Sequence, residues 1–191
     1  MPTYASYRCM NDEKAVITMP TLLVDHEHRN EAFELLMRQF GRQLYWHIRR
    51  IVVSHGDAED ALQETCIKIL NGIEKFRGGD IKAWVYRIAT NEALQQLRRQ
   101  TRLFQSIDSL NDTLIEKLEA ETHIDTKAIE VTFQKALLTL PTQQRIAFNM
   151  RYYDELSYEQ IAQITGKSVA TLKTNYHYAT EKIKNYIKEQ I

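Results

Sequence analysis

Apolar residues recur every three or four positions between residues 29 and 51, at Phe33, Leu36, Met37, Phe40, Leu44, Ile48 and Ile51. That spacing marks one face of a helix and predicts a first helix starting near Arg29. Gly56 is expected to break it, and Asp57 to cap a second helix with Asp60 at its third position. Ala61, Leu62, Thr65, Ile69 and Ile73 form the buried face of that second helix. Arg77, Gly78 and Gly79 read as a loop, and Asp80 as the cap of a third helix running to about Arg102, with Trp84, Ile88, Leu94 and Leu97 inward. From residue 103 to 127 the pattern degrades. One short apolar cluster (Leu110, Leu114, Leu118) stands among acidic and small polar residues, which predicts a linker holding at most a loose helical turn. Periodicity returns near Ala128 with Phe133, Leu137 and Leu138. Pro141 suits the first position of a further helix, whose inward residues are Ile146, Met150 and Tyr153. Residues 1–24 show no period and are expected to be a mobile tail, with Met1, Met10 and Met19 as alternative starts.

The end of the chain is the most sharply written. Ser157 precedes Gln160 by three residues, a capping box, and Leu156 and Ile161 flank it as a hydrophobic staple. Gly166 is placed to stop this helix in the left-handed conformation. Ser168 caps the next helix, whose stripe is Val169, Leu172, Tyr176, Ala179, Ile183 and Ile187. Two helices joined by so short a turn have the geometry that sets a second helix into a DNA major groove, although an ordinary helical hairpin shares the pattern.

With only three prolines and six glycines in 191 residues, and an abundance of helix formers, the fold class is all-α. The expected architecture is two small helical domains, 25–104 and 128–191, joined by a flexible acidic linker, 105–127, the second domain ending in the helix-turn-helix. Net charge is zero, but it is unevenly spread. Residues 105–130 carry seven acids against Lys117 and Lys127, a net of −5, whereas residues 131–191 carry eight bases against five acids, a net of +3. No apolar run approaches the roughly 18 residues that span a bilayer. The N-terminus lacks the pattern of a secretory signal, so a cytoplasmic location is expected. Cys9 and Cys66 make neither a disulfide framework nor a metal-spaced pair.

Two constellations could carry chemistry. Asp57, Glu59, Asp60, Gln63 and Glu64 crowd the start and one flank of the second helix. Acids favour a helix N-terminus through the macrodipole, so a merely solvated face is one reading. A carboxylate metal site is another, but no helix supplies histidine at the matching spacing. A docking face for a protein is the third. In the third helix Trp84, Tyr86, Arg87, Asn91, Arg98, Arg99 and Arg102 interleave aromatics with bases. These residues read either as a core tryptophan with surface arginines or as a surface for unstacked bases and backbone phosphates, with Phe76 and Arg77 adding a ring and a charge. The six histidines, His26, His28, His47, His55, His123 and His177, are scattered and adjoin no nucleophile motif. Without a phosphate-binding glycine loop either, the chain is expected to be no enzyme and to need no metal, cofactor or small-molecule substrate.

Three stretches, DAEDALQETCIKI, FRGGDIKAWVYRIATNEALQQLRR and LPTQQRIAFNMRYYDELSYEQIAQITGKSVATLK, resemble the signatures of the extracytoplasmic-function sigma factors, small bacterial initiation subunits of RNA polymerase. The likeness runs from Arg29 to Ile187 in the family's order. It implies that Asp60, Gln63, Glu64 and Ile67 dock on the β′ clamp helices of core polymerase. It implies that Trp84, Tyr86, Arg87 and Asn91, with Arg98 and Arg99, melt and read the minus-ten promoter element. Phe76 and Arg77 would lie by a base flipped from that element. Lys167, Ser168, Thr171, Lys173, Thr174, Asn175, His177 and Tyr178 would meet the minus-thirty-five element, with the second domain on the β flap. The acidic linker resembles the strand that threads toward the polymerase active site. The chain departs from the pattern at Gln95, where aspartate is common, and at Asn175 and Tyr178, where arginine is usual; fewer bases predict weaker, less salt-dependent phosphate binding. The resemblance further implies silencing by an anti-sigma partner, free or membrane-tethered, and the isolated chain is expected to be a monomer. A free-standing helix-turn-helix regulator is the alternative, and it would bind duplex DNA without polymerase.

Overall fold

The computed structural model describes residues 28–101, 107–121 and 128–190, which form eight α-helices and no strand. The expectations concerning the tail at 1–24, Cys9, His26, Arg102, His123 and the linker at 105–106 and 122–127 lie outside these residues.

Helix α1, Arg29–Val52, buries the whole predicted stripe from Leu36 to Ile51, with Phe33 half-buried, and adds Tyr45, His47 and Val52. The buried band is wider than one helical face because α1 meets the second and third helices on one side and the sixth on another. It ends at Val53, which takes φ 69° and returns its N–H to the Arg49 carbonyl at 2.9 Å. Gly56 therefore does not break α1; it lies in the first turn of α2, His55–Gly72. The cap of α2 is Ser54 rather than Asp57, its hydroxyl accepting from the Asp57 N–H at 3.5 Å. A short 3₁₀ turn, Ile73–Lys75, follows. Gly78 and Gly79 take φ of 94° and 107°, a region that residues with a Cβ rarely enter. Asp80 then caps α3, Ile81–Thr101, by accepting from the Ala83 N–H at 3.0 Å.

The face of α3 is displaced from the predicted one. Ala83, Val85, Tyr86, Ala89, Thr90, Ala93 and Leu97 are buried, whereas Trp84, Ile88 and Leu94 are only half-buried. Small residues dominate the buried side because α3 is enclosed by α1, α2 and the seventh helix together, and close approach favours small side chains.

The segment expected to hold a loose turn forms a full helix, α4, Ile107–Glu121. Leu114 is fully buried against Val53, Leu97 and Leu138, with Leu118 partly buried. Lys117 bonds Asp57 at 3.0 Å and Glu119 pairs with Lys135 at 2.5 Å. Then come α5, Ala128–Leu138, and α6, Thr142–Tyr152, with Pro141 just outside the first helical residue. Helices α7, Tyr158–Thr165, and α8, Val169–Gln190, complete the fold. The Ser157–Gln160 capping box is formed in both directions, at 3.1 and 3.0 Å, and Gly166 is left-handed at φ 69°.

The two halves, α1–α3 and α5–α8, are packed together. One continuous core joins Leu36, Leu44, Ile48, Val85 and Ala89 to Ile146, Met150, Leu156, Ile161 and Leu172. A smaller core of Ala136, Leu140, Phe148, Ala179 and Ile183 belongs to the rear half alone. Each fully buried leucine or isoleucine contributes about 1.5–3 kcal/mol, so the contact between halves is a substantial part of the fold.

Candidate nucleic-acid and protein interfaces

On α2, Asp60, Gln63, Glu64 and Ile67 are spaced by three, one and three residues, so they share one face, and all four are exposed. Ile67 is 40% exposed although Ala61, Thr65 and Ile69 on the opposite face are buried. Beside this face runs a groove of about 510 Å³ between α2 and α3, lined by Asp60, Gln63, Glu64, Gln95 and Arg99. Asp57, at the top of α2, lines the same groove and pairs with Lys117 of α4 at 3.0 Å. Burial alone would raise its pKa, but hydrogen bonds from Gln96 and Lys117 more than offset this and hold it below the ordinary carboxylate value. Cys66 on the same helix is a free thiol beside Met37, and burial pushes its pKa up to about 11.

On α3, Trp84, Arg87, Asn91 and Arg98 lie at positions 0, 3, 7 and 14 of one stripe. Arg87, Asn91 and Arg98 are exposed, with Arg99 beside them, while Trp84 is half-buried. The Trp84 ring leans on Phe76, with centroids 5.2 Å apart, and a Cβ at Gly72 would come within 3.1 Å of it. Glycine at that position is what lets the indole lie against the end of α2. Arg77 is exposed and donates to the Glu74 carbonyl. Tyr86 differs from the other residues assigned to this surface. It is 1% exposed, its ring 5.0 Å from that of His47, and in this arrangement it faces the junction between the halves.

On α8, Lys167 and Ser168 open the helix and the Ser168 hydroxyl accepts from the Thr171 N–H at 3.1 Å. Thr171, Lys173, Thr174, His177 and Tyr178 are exposed and Asn175 is half-buried. Tyr178 is 54% exposed. Lys173 lies 5.7 Å from the centre of the Tyr158 ring. On the following turn Lys184 draws the pKa of Glu181 down.

At the junction stands a polar network that sequence reasoning missed. Asp154, in the turn between α6 and α7, accepts from His47 Nδ1 at 2.6 Å and from Arg50 at 3.1 Å. The other ring nitrogen of His47 meets the Thr90 hydroxyl at 2.9 Å. The Thr90 hydroxyl donates to the Tyr86 carbonyl at 2.7 Å. Arg50 also stacks on Tyr153 at 4.2 Å. A second bond crosses nearby, from Gln160 to Asp80 at 2.7 Å. His47 lies 107 residues from Asp154, so no local spacing announces the pair. The only signal was a histidine between Trp46 and Ile48 on a strongly periodic helix.

Among the described residues no three His, Cys, Asp or Glu side chains gather as a metal site, and no helix is long and apolar enough to cross a membrane. Residues 36–103 match Sigma-70 region 2, and residues 130–183 match Sigma-70, region 4. The chain is 30% identical to the RNA polymerase sigma factor YlaC of Bacillus subtilis over 161 residues, covering 83% of this chain and 92% of that one. It is 31% identical to the ECF RNA polymerase sigma-E factor of Escherichia coli K12, covering 84% and 89%. Its fold is similar to that of the sigma factor RpoE solved with the anti-sigma factor NepR from Bartonella quintana, at a TM-score of 0.65, 23% identity and coverage of 83% and 98%. It is likewise similar to that of CnrH in complex with the cytosolic domain of CnrY, at a TM-score of 0.64, 19% identity and coverage of 85% and 91%. These matches run through both halves in order, and they place the chain among the ECF-type RNA polymerase sigma factors, non-enzymatic polymerase subunits that direct promoter-specific initiation of transcription.

Proposed function

We propose that the three exposed faces divide the work of a sigma factor. The face of Asp60, Gln63, Glu64 and Ile67 docks on the β′ clamp helices. The stripe of Trp84, Arg87, Asn91 and Arg98, with Phe76, Arg77 and Arg99, holds the melted minus-ten strand: aromatic rings stack on unpaired bases and guanidinium groups hold phosphates. The exposed side of α8 enters the major groove of the minus-thirty-five element, where Thr171, Thr174 and His177 face base edges and Lys167 and Lys173 the phosphates. The rear half rests on the β flap. Tyr86 reaches DNA only if the halves separate. An anti-sigma partner, of the kind bound to the structural neighbours, covers polymerase-binding surface in the silenced state, the free chain being a monomer.

The single observation that carries this reading is the face on α2. It is an exposed charged patch, Asp60, Gln63 and Glu64, that carries an exposed isoleucine, Ile67. Charge reversal there is the test. Asp60→Lys together with Glu64→Lys should abolish binding to core polymerase and promoter-dependent transcription in vitro, with helical content unchanged; clean loss of such a pair costs about 2–5 kcal/mol. Unchanged polymerase binding by the double variant would sink the docking assignment.

A further inference from the structure

We propose that the turn at residues 153–155 is an intramolecular latch: Asp154, seated between His47 and Arg50, holds the free chain closed, and polymerase must release it before one chain can engage both promoter elements. The proposal rests on the division of faces given above, but its physical basis is separate.

The first argument is one of reach. Elements named for positions ten and thirty-five lie about 25 base pairs apart, or about 85 Å at about 3.4 Å per base pair. A compact chain of 191 residues has a radius of gyration of about 16 Å and so spans about 40 Å. In the closed chain α3 packs directly on α7, and α7 on α8. The two reading helices therefore cannot lie on both elements at once. Closure also removes Tyr86 from solvent, although Asn91, two turns further along α3, stays exposed.

The second argument is that the contact is specific. Asp154 is 4% exposed and His47 fully buried, so their bond is screened from water. Arg50 closes the other side of the carboxylate and is anchored on Tyr153. Lys82 of α3 reaches the Asp154 carbonyl at 3.5 Å. The Asp80 carboxylate caps α3 with one oxygen and accepts from Gln160 of α7 with the other. The polar contacts thus join the α6–α7 turn and the start of α7 to α1 and α3.

The third argument is that the closed state carries a cost. Helix α6 is enclosed on every side, with Arg145 through Met150 all buried. Yet Arg145 Nε and Nη1 and both side-chain polar atoms of Asn149 have no protein partner. Unpaired buried polar groups disfavour the state that buries them. Arg145 and Asn149 adjoin Ile146 and Met150 of α6, which belong to the core that the two halves share.

The test uses the full chain. In small-angle scattering the wild type should behave as a compact particle, and Asp154→Ala should raise the radius of gyration by several ångström at unchanged helical circular dichroism. Glu189→Gln, an exposed change remote from the turn, should leave the curve as it was. Relieving the closed state should also raise apparent affinity for core polymerase by tenfold or more, because only the open fraction binds productively. Should Asp154→Ala fail to fold, the wild-type latch is read directly. Dyes on Arg38→Cys and Lys188→Cys, with Cys9→Ser and Cys66→Ser, should show efficient energy transfer that falls when core polymerase is added. Expansion without any polymerase binding would support the latch and overturn the docking reading. Superimposable scattering for wild type and Asp154→Ala, or energy transfer that polymerase binding leaves unchanged, would overturn the latch.

Discussion

The two helices proposed to read promoter DNA, α3 and α8, offer their faces from opposite structural positions. Helix α8 leaves Thr171, Lys173, Thr174, His177 and Tyr178 exposed while the halves are closed. Helix α3 is enclosed by α1, α2 and α7, and its exposed residues are Arg87, Asn91, Gln95, Arg98 and Arg99. Charge follows the same division. The stripe on α3 is rich in arginine, whereas the middle of α8 holds one lysine among uncharged polar side chains. On the proposed division of faces, duplex reading by α8 is compatible with closure, while α3 lacks Tyr86 until the molecule opens.

The tyrosines of the two helices break this comparison most strongly. Tyr86→Ala removes a buried ring from the junction and should destabilise the fold by about 3–5 kcal/mol. Tyr178→Ala, on a side chain 54% exposed, should change stability by less than about 0.5 kcal/mol. Denaturant titration of both variants checks the pair, and equal costs would show that α3 is not the more deeply built helix. The next contrast is functional. Asn91→Ala should reduce permanganate reactivity of minus-ten bases about tenfold while polymerase binding holds, a loss of about 1.4 kcal/mol. Lys173→Ala should instead weaken duplex binding alike at all sequences and lower its salt slope by about one.

Arg145→Met has the opposite sign. Replacing a buried guanidinium that lacks partners on two of its nitrogens with an apolar side chain should stabilise the protein by about 1–3 kcal/mol. A melting temperature that falls instead would reveal a partner for Arg145. The smallest effect concerns Asp57, whose pKa is lowered in the folded state. A lowered carboxylate stabilises above its unfolded value and loses that contribution as pH falls through the folded one. Stability should therefore decline more steeply below about pH 4 in the wild type than in Asp57→Asn. Paired urea titrations at pH 3 and pH 6 measure the difference.

Legibility in the sequence followed sequence distance. Helix α1 and the helix-turn-helix were readable because their signals, a sustained period and a Ser157–Gln160 cap, sit within a few residues of what they determine. The start of α2 was displaced because Ser54 and Asp57 are both good caps and the glycine between them fits a first helical turn. Helix α4 was hidden because its buried stripe is narrow, with Leu114 fully enclosed and Leu118 only partly, among acids that suggest solvent. The side chains at the three exposed faces were named from the sequence. That Tyr86 turns inward, and that His47 meets Asp154, depends on how two halves far apart in the chain come together.

Enclosure of α6 has a practical corollary for anyone who divides the protein. Ile146, Ala147 and Met150 belong to the larger core, which the front half helps to build, whereas Phe148 belongs to the rear core alone. A rear fragment cut out by itself would carry the first three as a new apolar patch, and such patches promote self-association. A fragment spanning residues 128–191 should therefore be handled with Ile146 and Met150 changed to polar residues. Without those changes, a weak DNA affinity measured on it would report aggregation as much as recognition.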